Sequence, residues 1–283
     1  MSEEKSVAAA ENCGPLSKYC PVTLVETGID AGIARLRRLI SPAIFQAIVN
    51  WTEKIGHLAI YVALVLGLIF AVIAAIRMPD FELLYRAVIF IFTVALMQYV
   101  SFKLFRFNDL MLSRNRERVC SATIFDLLAL VCFVGGVLLL AGDIYLAIKY
   151  GPDRLGYNLV RFLTIEATGV AALNFRQLNL EENADAGIGE TALALLAFAG
   201  KALLPLARVV FGLFSVLTVI GLIRALIKVC DKMTLWESVD IGLNSVQIIR
   251  IAICVPVVAT LLYLAIRLLT ELCQSVLARN NNR

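Results

Sequence analysis

Two basic residues and a proline interrupt the most apolar part of the sequence, the stretch AFAGKALLPLAR from Ala197 to Arg208. Lys201 and Arg208 are seven residues apart, which is two helical turns, so they share one face of a helix. Cations near the centre of a bilayer are costly and mark ion or substrate pathways, whereas cations at a helix end reach water cheaply. The pair therefore predicts either a transport site or the rim of a membrane helix.

Two further charged residues are predicted to lie at the same rim. Arg86 is near the start of the second apolar segment and Asp143 is near the end of the third, on the side where the segment of Arg208 enters. Asp143 is the expected counter-ion of Arg86 or Arg208, because an intramembrane charge needs a partner. The middle parts of the apolar segments hold no ionised residue, and this favours the rim over a transport site.

Catalytic chemistry is not indicated by the sequence. It has no motif typical of serine hydrolases, zinc proteases, phosphate-binding loops or dinucleotide-binding folds. The single histidine, His57, lies at the edge of an apolar segment, and none of the seven cysteines stands near it at a metal-ligand spacing. We therefore predict a non-enzymatic protein without a metal or another cofactor.

The composition indicates a membrane protein. Hydrophobic residues make up 60% of the 283-residue chain, against about 45–50% in a soluble domain, and the mean hydropathy is +0.83. The apolar residues are concentrated in blocks of about 20, the length that crosses a bilayer. The net charge of +4 is small and dispersed, so nucleic acid is not an expected partner.

Five membrane spans are predicted, and the fold class is therefore an all-α polytopic membrane protein. The spans are residues 55–76, 84–102, 124–146, 203–227 and 248–269. They form two parts of a membrane domain, 55–149 and 191–270, joined by a polar loop at 150–190 whose first half is compatible with an interfacial helix. Residues 1–30 are predicted to be a flexible N-terminus and residues 271–283 a tail. Pro205 lies in the fourth span, which is interpreted as one long helix.

An amphipathic helix at the membrane interface is predicted over residues 31–54. Apolar residues recur there at helical spacing, and three arginines flank the start. These arginines are Arg35, Arg37 and Arg38. Such a helix either binds an anionic leaflet or packs against protein on the soluble side. Ser41 and Pro42 are typical of an N-cap and a first helical residue, so a second helix begins here or the first one is kinked.

Basic residues predict the orientation of the spans. The segment before the first span and the loop at 103–118 are rich in Arg and Lys, which places both on the cytoplasmic side. With five spans, the 147–190 segment and the C-terminus then fall on the opposite side. The excess of acidic residues in 147–190 agrees with this placement.

The two halves of the membrane domain show a weak similarity. Residues 65–80 align without gaps with 216–231, and residues 86–104 align with 250–268. With one span between the halves, such a repeat would be inverted in the membrane, as in many transporters. The few residue types common in membrane helices also account for matches of this kind.

Two classes of function follow from these patterns. In the first, the protein has a structural or membrane-organising role and associates with the bilayer and with other membrane proteins or copies of itself. In the second, it is a channel or transporter for a small solute or ion, and Arg208 belongs to the path. The apolar middle of the spans favours the first class.

Overall fold

The computed structural model describes residues 21–77, 81–114, 117–119, 122–150, 155–182, 188–230 and 235–281. In these ranges the chain forms seven α-helices, two short strands and one 3-10 turn. The helices are α1 (Pro21–Leu39), α2 (Pro42–Arg77), α3 (Phe81–Arg114), α4 (Thr123–Tyr150), α5 (Leu155–Leu173), α6 (Ile188–Val229) and α7 (Leu235–Asn281). Five of them, α2, α3, α4, α6 and α7, are long and apolar enough to cross a membrane. The prediction of an all-α polytopic membrane protein is confirmed.

The chain divides into two compact units, Met1–Ser41 and Pro42–Arg283. In the first unit, α1 carries the three predicted surface arginines, and all three side chains are exposed. The helix predicted over 31–54 is therefore two helices, because Pro42 lacks an N–H group and begins a new helix more readily than it continues one. Residues 21–30, predicted to be flexible, belong to α1, and residues 1–20 lie outside the described ranges.

The second unit consists of three antiparallel helix pairs. In the pair of α2 and α3, the His57 side chain contacts Gln98. In the pair of α4 and α5, Asp143 bonds to Arg161 near the end of α4. In the pair of α6 and α7, Gly221 lies against Ser245. The chain therefore reverses direction after α2, after α4 and after α6.

Helices α2 and α6 run in the same direction. Val49 near the start of α2 packs in one cluster with Val209, and Ala74 near its end packs with Val229. The predicted inverted relation between the first and the fourth span is therefore wrong. The reason is α5, which returns the chain alongside α4 before α6 begins, and whose polar residues lower its hydropathy below that of the five spans.

We name the two ends of this bundle after the limits of α2. At the Pro42 end, α2, α4 and α6 begin and α3, α5 and α7 end; the Arg77 end is the opposite one.

Strand β1 (Glu117–Val119) pairs in parallel with β2 (Leu180–Glu182) at the Pro42 end. The prediction that residues 147–190 and the C-terminus lie opposite the 103–118 segment is therefore wrong for residues 174–182 and for the end of α7. Residues 103–114 are not a loop, since they continue α3.

Two glycines let α2 and α6 approach closely. A Cβ atom at Gly56 would stand 2.7 Å from the Phe211 ring and 2.9 Å from the Cα of Gly212, and one at Gly212 would overlap the carbonyl oxygen of Thr52. Small residues at such crossings are typical of membrane helices, which associate by close packing. This crossing sets the distance between the two central helices of the bundle.

We expect the substitution Gly212→Ala to destabilise the protein by about 1–3 kcal/mol, because the methyl group overlaps backbone atoms of α2 that cannot rotate away. The measurement is the thermal unfolding midpoint of the purified protein in mild detergent. Gly135→Ala is the matched control, since a Cβ atom there would meet no other atom within 4 Å. Equal midpoints for the two variants would contradict the role given to Gly212.

Candidate functional site

The four predicted rim residues lie at two different ends of the bundle. Lys201 and Arg208 are at the Pro42 end, whereas Arg86 and Asp143 are toward the Arg77 end. Asp143 accepts hydrogen bonds from the guanidinium of Arg161 on α5, at 2.6 and 2.7 Å. The prediction that Asp143 neutralises Arg208 is therefore wrong, because α6 enters from the end opposite to the one that five spans imply.

Arg208 is the buried centre of an ion-pair cluster at the Pro42 end. Its side chain is 8% exposed, and its Nε lies 3.2 Å from Oε2 of Glu53. Its Nη2 donates to Oδ1 of Asp109 at 2.5 Å and to the carbonyl oxygen of Phe105 at 2.9 Å. The guanidinium group therefore joins α2, α3 and α6 at one point, near the boundaries of the first two predicted spans.

Uncharged polar side chains continue this cluster toward the centre of the bundle and toward α7. The Nδ1 atom of His57 contacts Nε2 of Gln98 at 2.5 Å, and the imidazole ring packs on Phe211. Asn108 donates to Oγ1 of Thr260 at 3.0 Å, which links α3 to α7. We call the ion-pair cluster of Arg208 and these uncharged side chains together the polar layer. Its members are Glu53, His57, Gln98, Asn108, Asp109, Arg208 and Thr260.

Lys201 is bonded to a turn of the chain that precedes β2. It is 1% exposed, and its Nζ donates to the carbonyl oxygen of Asn179 at 3.1 Å. Asn179 has a positive φ of 56°, a conformation that asparagine tolerates better than most residues. Its amide in turn donates to the carbonyl oxygen of Leu112 at 2.5 Å. Lys201 and Asn179 therefore fasten the segment before β2 to α3 and α6.

A cavity of about 390 Å³ lies between α2, α3, α6 and α7, on the side of the polar layer nearer the Arg77 end. Its walls are mainly apolar, and Arg86 and Arg250 line it as well. Arg250 was predicted to lie at the start of the fifth span, but α7 begins at Leu235, fifteen residues earlier. Its guanidinium lies over the ring of Phe90, 5.5 Å from the centroid. Arg250 therefore lies well inside α7 rather than at its start.

Sequence reasoning missed the residues that partner the predicted cations. Glu53 and Asp109 stand just outside the predicted spans, so hydropathy averages assign them to loops. Arg161 lies in α5, within the part of the 150–190 segment for which the sequence allowed an interfacial helix but no partner for Asp143. The sequence contains one signal of these partners, which is the pattern of charges. An acidic residue lies just outside each of the first two predicted spans, where a buried arginine needs a counter-ion. Within the described ranges, no group of three or more His, Cys, Asp or Glu side chains is arranged to hold a metal ion.

We expect the substitution Arg208→Met to lower the free energy of unfolding by about 3–5 kcal/mol, because Glu53 is left partly buried without its ion pair. The control is Arg267→Met, which breaks a surface pair with Glu271 four residues away and is expected to change stability by about 0.3–0.5 kcal/mol. Unfolding in mixed detergent and SDS micelles measures both.

The double variant Arg208→Met with Glu53→Leu separates the two causes of this loss. Removing the unpaired carboxylate is expected to restore part of the stability, because the cost of an unpaired buried charge is then absent. A double variant no more stable than Arg208→Met would contradict an ion-pair role and would indicate a loss of packing alone.

No protein-family model, no curated protein and no solved structure matches this chain.

Proposed function

We propose that this protein is a non-enzymatic integral membrane protein that organises the bilayer around it, by means of a rigid helical bundle and a basic helix at the membrane surface. The observation that carries the proposal is the saturation of Arg208, whose guanidinium is shared among two carboxylates and a backbone carbonyl. A cation held in this way joins helices and has little freedom to bind and release a solute. The interior charges of the Pro42 end therefore serve the architecture.

In this proposal α5 is a sixth crossing of the membrane. It has 19 residues, which make a helix about 28 Å long at 1.5 Å per residue, close to the thickness of the hydrocarbon core. Its Arg161 is paired with Asp143 of α4, as a charge in a membrane requires. The start of α2 and the end of α7 then both lie at the Pro42 end, and the basic residues of 103–118 support a cytoplasmic location for that end.

Helix α1 is the proposed surface-binding element. Ile29, Ile33 and Leu36 recur at helical spacing and share one face. Arg35 and Arg38 are three residues apart and share the opposite face. A helix with this division lies in the headgroup region of an anionic leaflet, with its apolar face toward the acyl chains. Lateral insertion of that kind spreads one leaflet and bends the membrane.

The proposal includes association with other membrane proteins or with further copies of the chain. Large apolar side chains are exposed along every one of the five long apolar helices, and lipid or protein must cover them. The native mass and composition of the particle extracted in mild detergent distinguish the two. A mixed assembly supports a structural subunit, whereas a small homogeneous particle supports a protein that acts alone.

The alternative function is a channel or transporter for a small solute or ion, and the cavity beside Arg86 and Arg250 is the observation that favours it. In that case flux through reconstituted vesicles depends on these two arginines rather than on the fully bonded Arg208. Flux that is abolished by Arg208→Ala in a protein of unchanged thermal midpoint would overturn the structural role that we propose for this residue.

We expect charge reversal of α1, by Arg35→Glu, Arg37→Glu and Arg38→Glu together, to remove the effect of the protein on the shape of anionic vesicles. Each basic residue near an anionic surface contributes about 1 kcal/mol, so the attraction of α1 to the leaflet is lost. The measurement is cryo-electron microscopy of vesicles that contain phosphatidylserine and the reconstituted full chain.

The control for this experiment replaces the same three arginines by lysine, which keeps the charge. High salt is expected to weaken the effect of the unaltered protein, since exposed charges are screened. Vesicles of the same shape with the lysine and the glutamate variants would contradict the proposal for α1.

A further inference from the structure

An unpaired carboxyl group lies at the crossing of α4 and α5. The Oε1 atom of Glu166 on α5 is buried and has no hydrogen-bond partner. It lies against Gly136 of α4, where a Cβ atom would overlap this oxygen. Gly136 is thirteen residues from Thr123 and fourteen from Tyr150, so the crossing is about 20 Å from either end of α4. The carboxyl group is therefore opposite the middle of a helix that is long and apolar enough to cross a membrane.

The helices packed around Glu166 present it with a thiol but with no cation among the described residues. Cys132 lies one turn from Gly136 on α4, and its thiol is close enough to sense the charge of Glu166. Toward α2 and α6, Ala167 and Val170 of α5 pack on an apolar cluster. None of the ion pairs formed within the described ranges includes Glu166. An ionised Glu166 would therefore have neither a cation nor a donor at its buried oxygen.

Two other carboxylates of the long helices each have an arginine close by. Asp143 is bonded through both oxygens to Arg161, at 2.6 and 2.7 Å. The Oε2 atom of Glu53 lies 3.2 Å from Nε of Arg208. Arg161 is five residues before Glu166 on α5, but its guanidinium is directed to Asp143. A carboxyl group in lipid without such a partner binds a proton, because the neutral acid is much less costly to bury than the anion.

We propose that Glu166 is a proton-binding site within the membrane, and that its neutral carboxyl group is modified by hydrophobic carbodiimides. In this reaction the acid proton passes to one nitrogen of the carbodiimide, and a carboxyl oxygen bonds to the central carbon. The resulting O-acylisourea rearranges to a stable N-acylurea, so the whole reagent stays on the side chain and no group leaves. The site rests on the crossing of the membrane by α5, which is part of the function proposed above.

The experiment treats the full chain in phosphatidylcholine vesicles with dicyclohexylcarbodiimide, and mass spectrometry of its peptides locates the label. We expect Glu166 to be labelled, at a rate that falls as the buffer is made alkaline, because this addition requires the protonated acid. Asp143 and Glu53 are expected to stay unlabelled, since their arginines favour the ionised form. A water-soluble carbodiimide with glycine ethyl ester is expected to leave Glu166 unmodified, because this reagent does not enter the hydrocarbon core.

Variants of the crossing test where the reactive group lies. Glu166→Gln keeps the shape of the side chain and is expected to lose the label, whereas Cys132→Ser removes the neighbouring thiol and is expected to keep it. Gly136→Ala is expected to label several-fold faster, because the added methyl group displaces the carboxyl group from the crossing toward the lipid. Gly135→Ala is the matched control and is expected to leave the rate unchanged, since a Cβ atom there would meet no other atom within 4 Å.

The outcomes separate this site from the proposed function on which it rests. Absence of label at Glu166 with both reagents in the unaltered protein would overturn the proton-binding site and leave the crossing of α5 in place. Labelling of Glu166 by the water-soluble reagent would overturn both, because α5 would then be in contact with water. Labelling of Asp143 and Glu53 as fast as Glu166, or equal rates for Gly136→Ala and Gly135→Ala, would contradict the role given to the unpaired carboxyl group.

Discussion

The architecture of this protein depends on one buried arginine and the carboxylates that surround it. Arg208 cannot lose its charge, so its position in the bundle is tolerable only where Glu53 and Asp109 are brought to it. Glu53 belongs to α2 and Asp109 belongs to α3. The need of Arg208 for both carboxylates therefore determines how these two helices pack against α6. The glycine crossing of Gly56 and Gly212 lies one turn from Glu53, so close packing and ion pairing determine the same helix contact.

A second constraint is the direction of α5. Because this helix returns the chain along α4, the helices α2, α4 and α6 all begin at the Pro42 end. Helices α2 and α6 are therefore parallel neighbours. The parallel packing also brings α3 next to α7, which the bonds from Asn108 to Thr260 and from Ser101 to the carbonyl oxygen of Ile253 hold in place. If α5 did not return the chain along α4, Arg208 would be at the opposite end from Glu53 and the ion pair would not form.

Most of the fold was predictable from hydropathy, and most of the site was not. Five long apolar segments identify their helices because the lipid environment demands a run of apolar residues. Averaging the hydropathy along the sequence conceals α5, because Arg161 and Glu166 interrupt this apolar helix. It also predicted that Arg250 lies at the start of the fifth span, although α7 begins at Leu235. Ion-pair partners such as Glu53 and Asp109 are far apart in sequence, and only the order and direction of the helices decide which charges meet.

The two ends of the bundle differ in how their polar groups are used, and this difference bears on function. At the Pro42 end, the side chains of Arg208 and Lys201 are buried and bonded across elements, so the helices there are held at several points. Toward the Arg77 end, the exposed residues Arg86 and Arg250 line the cavity between α2, α3, α6 and α7. The helices are therefore held by buried bonds at the Pro42 end, whereas the cavity between them lies nearer the Arg77 end.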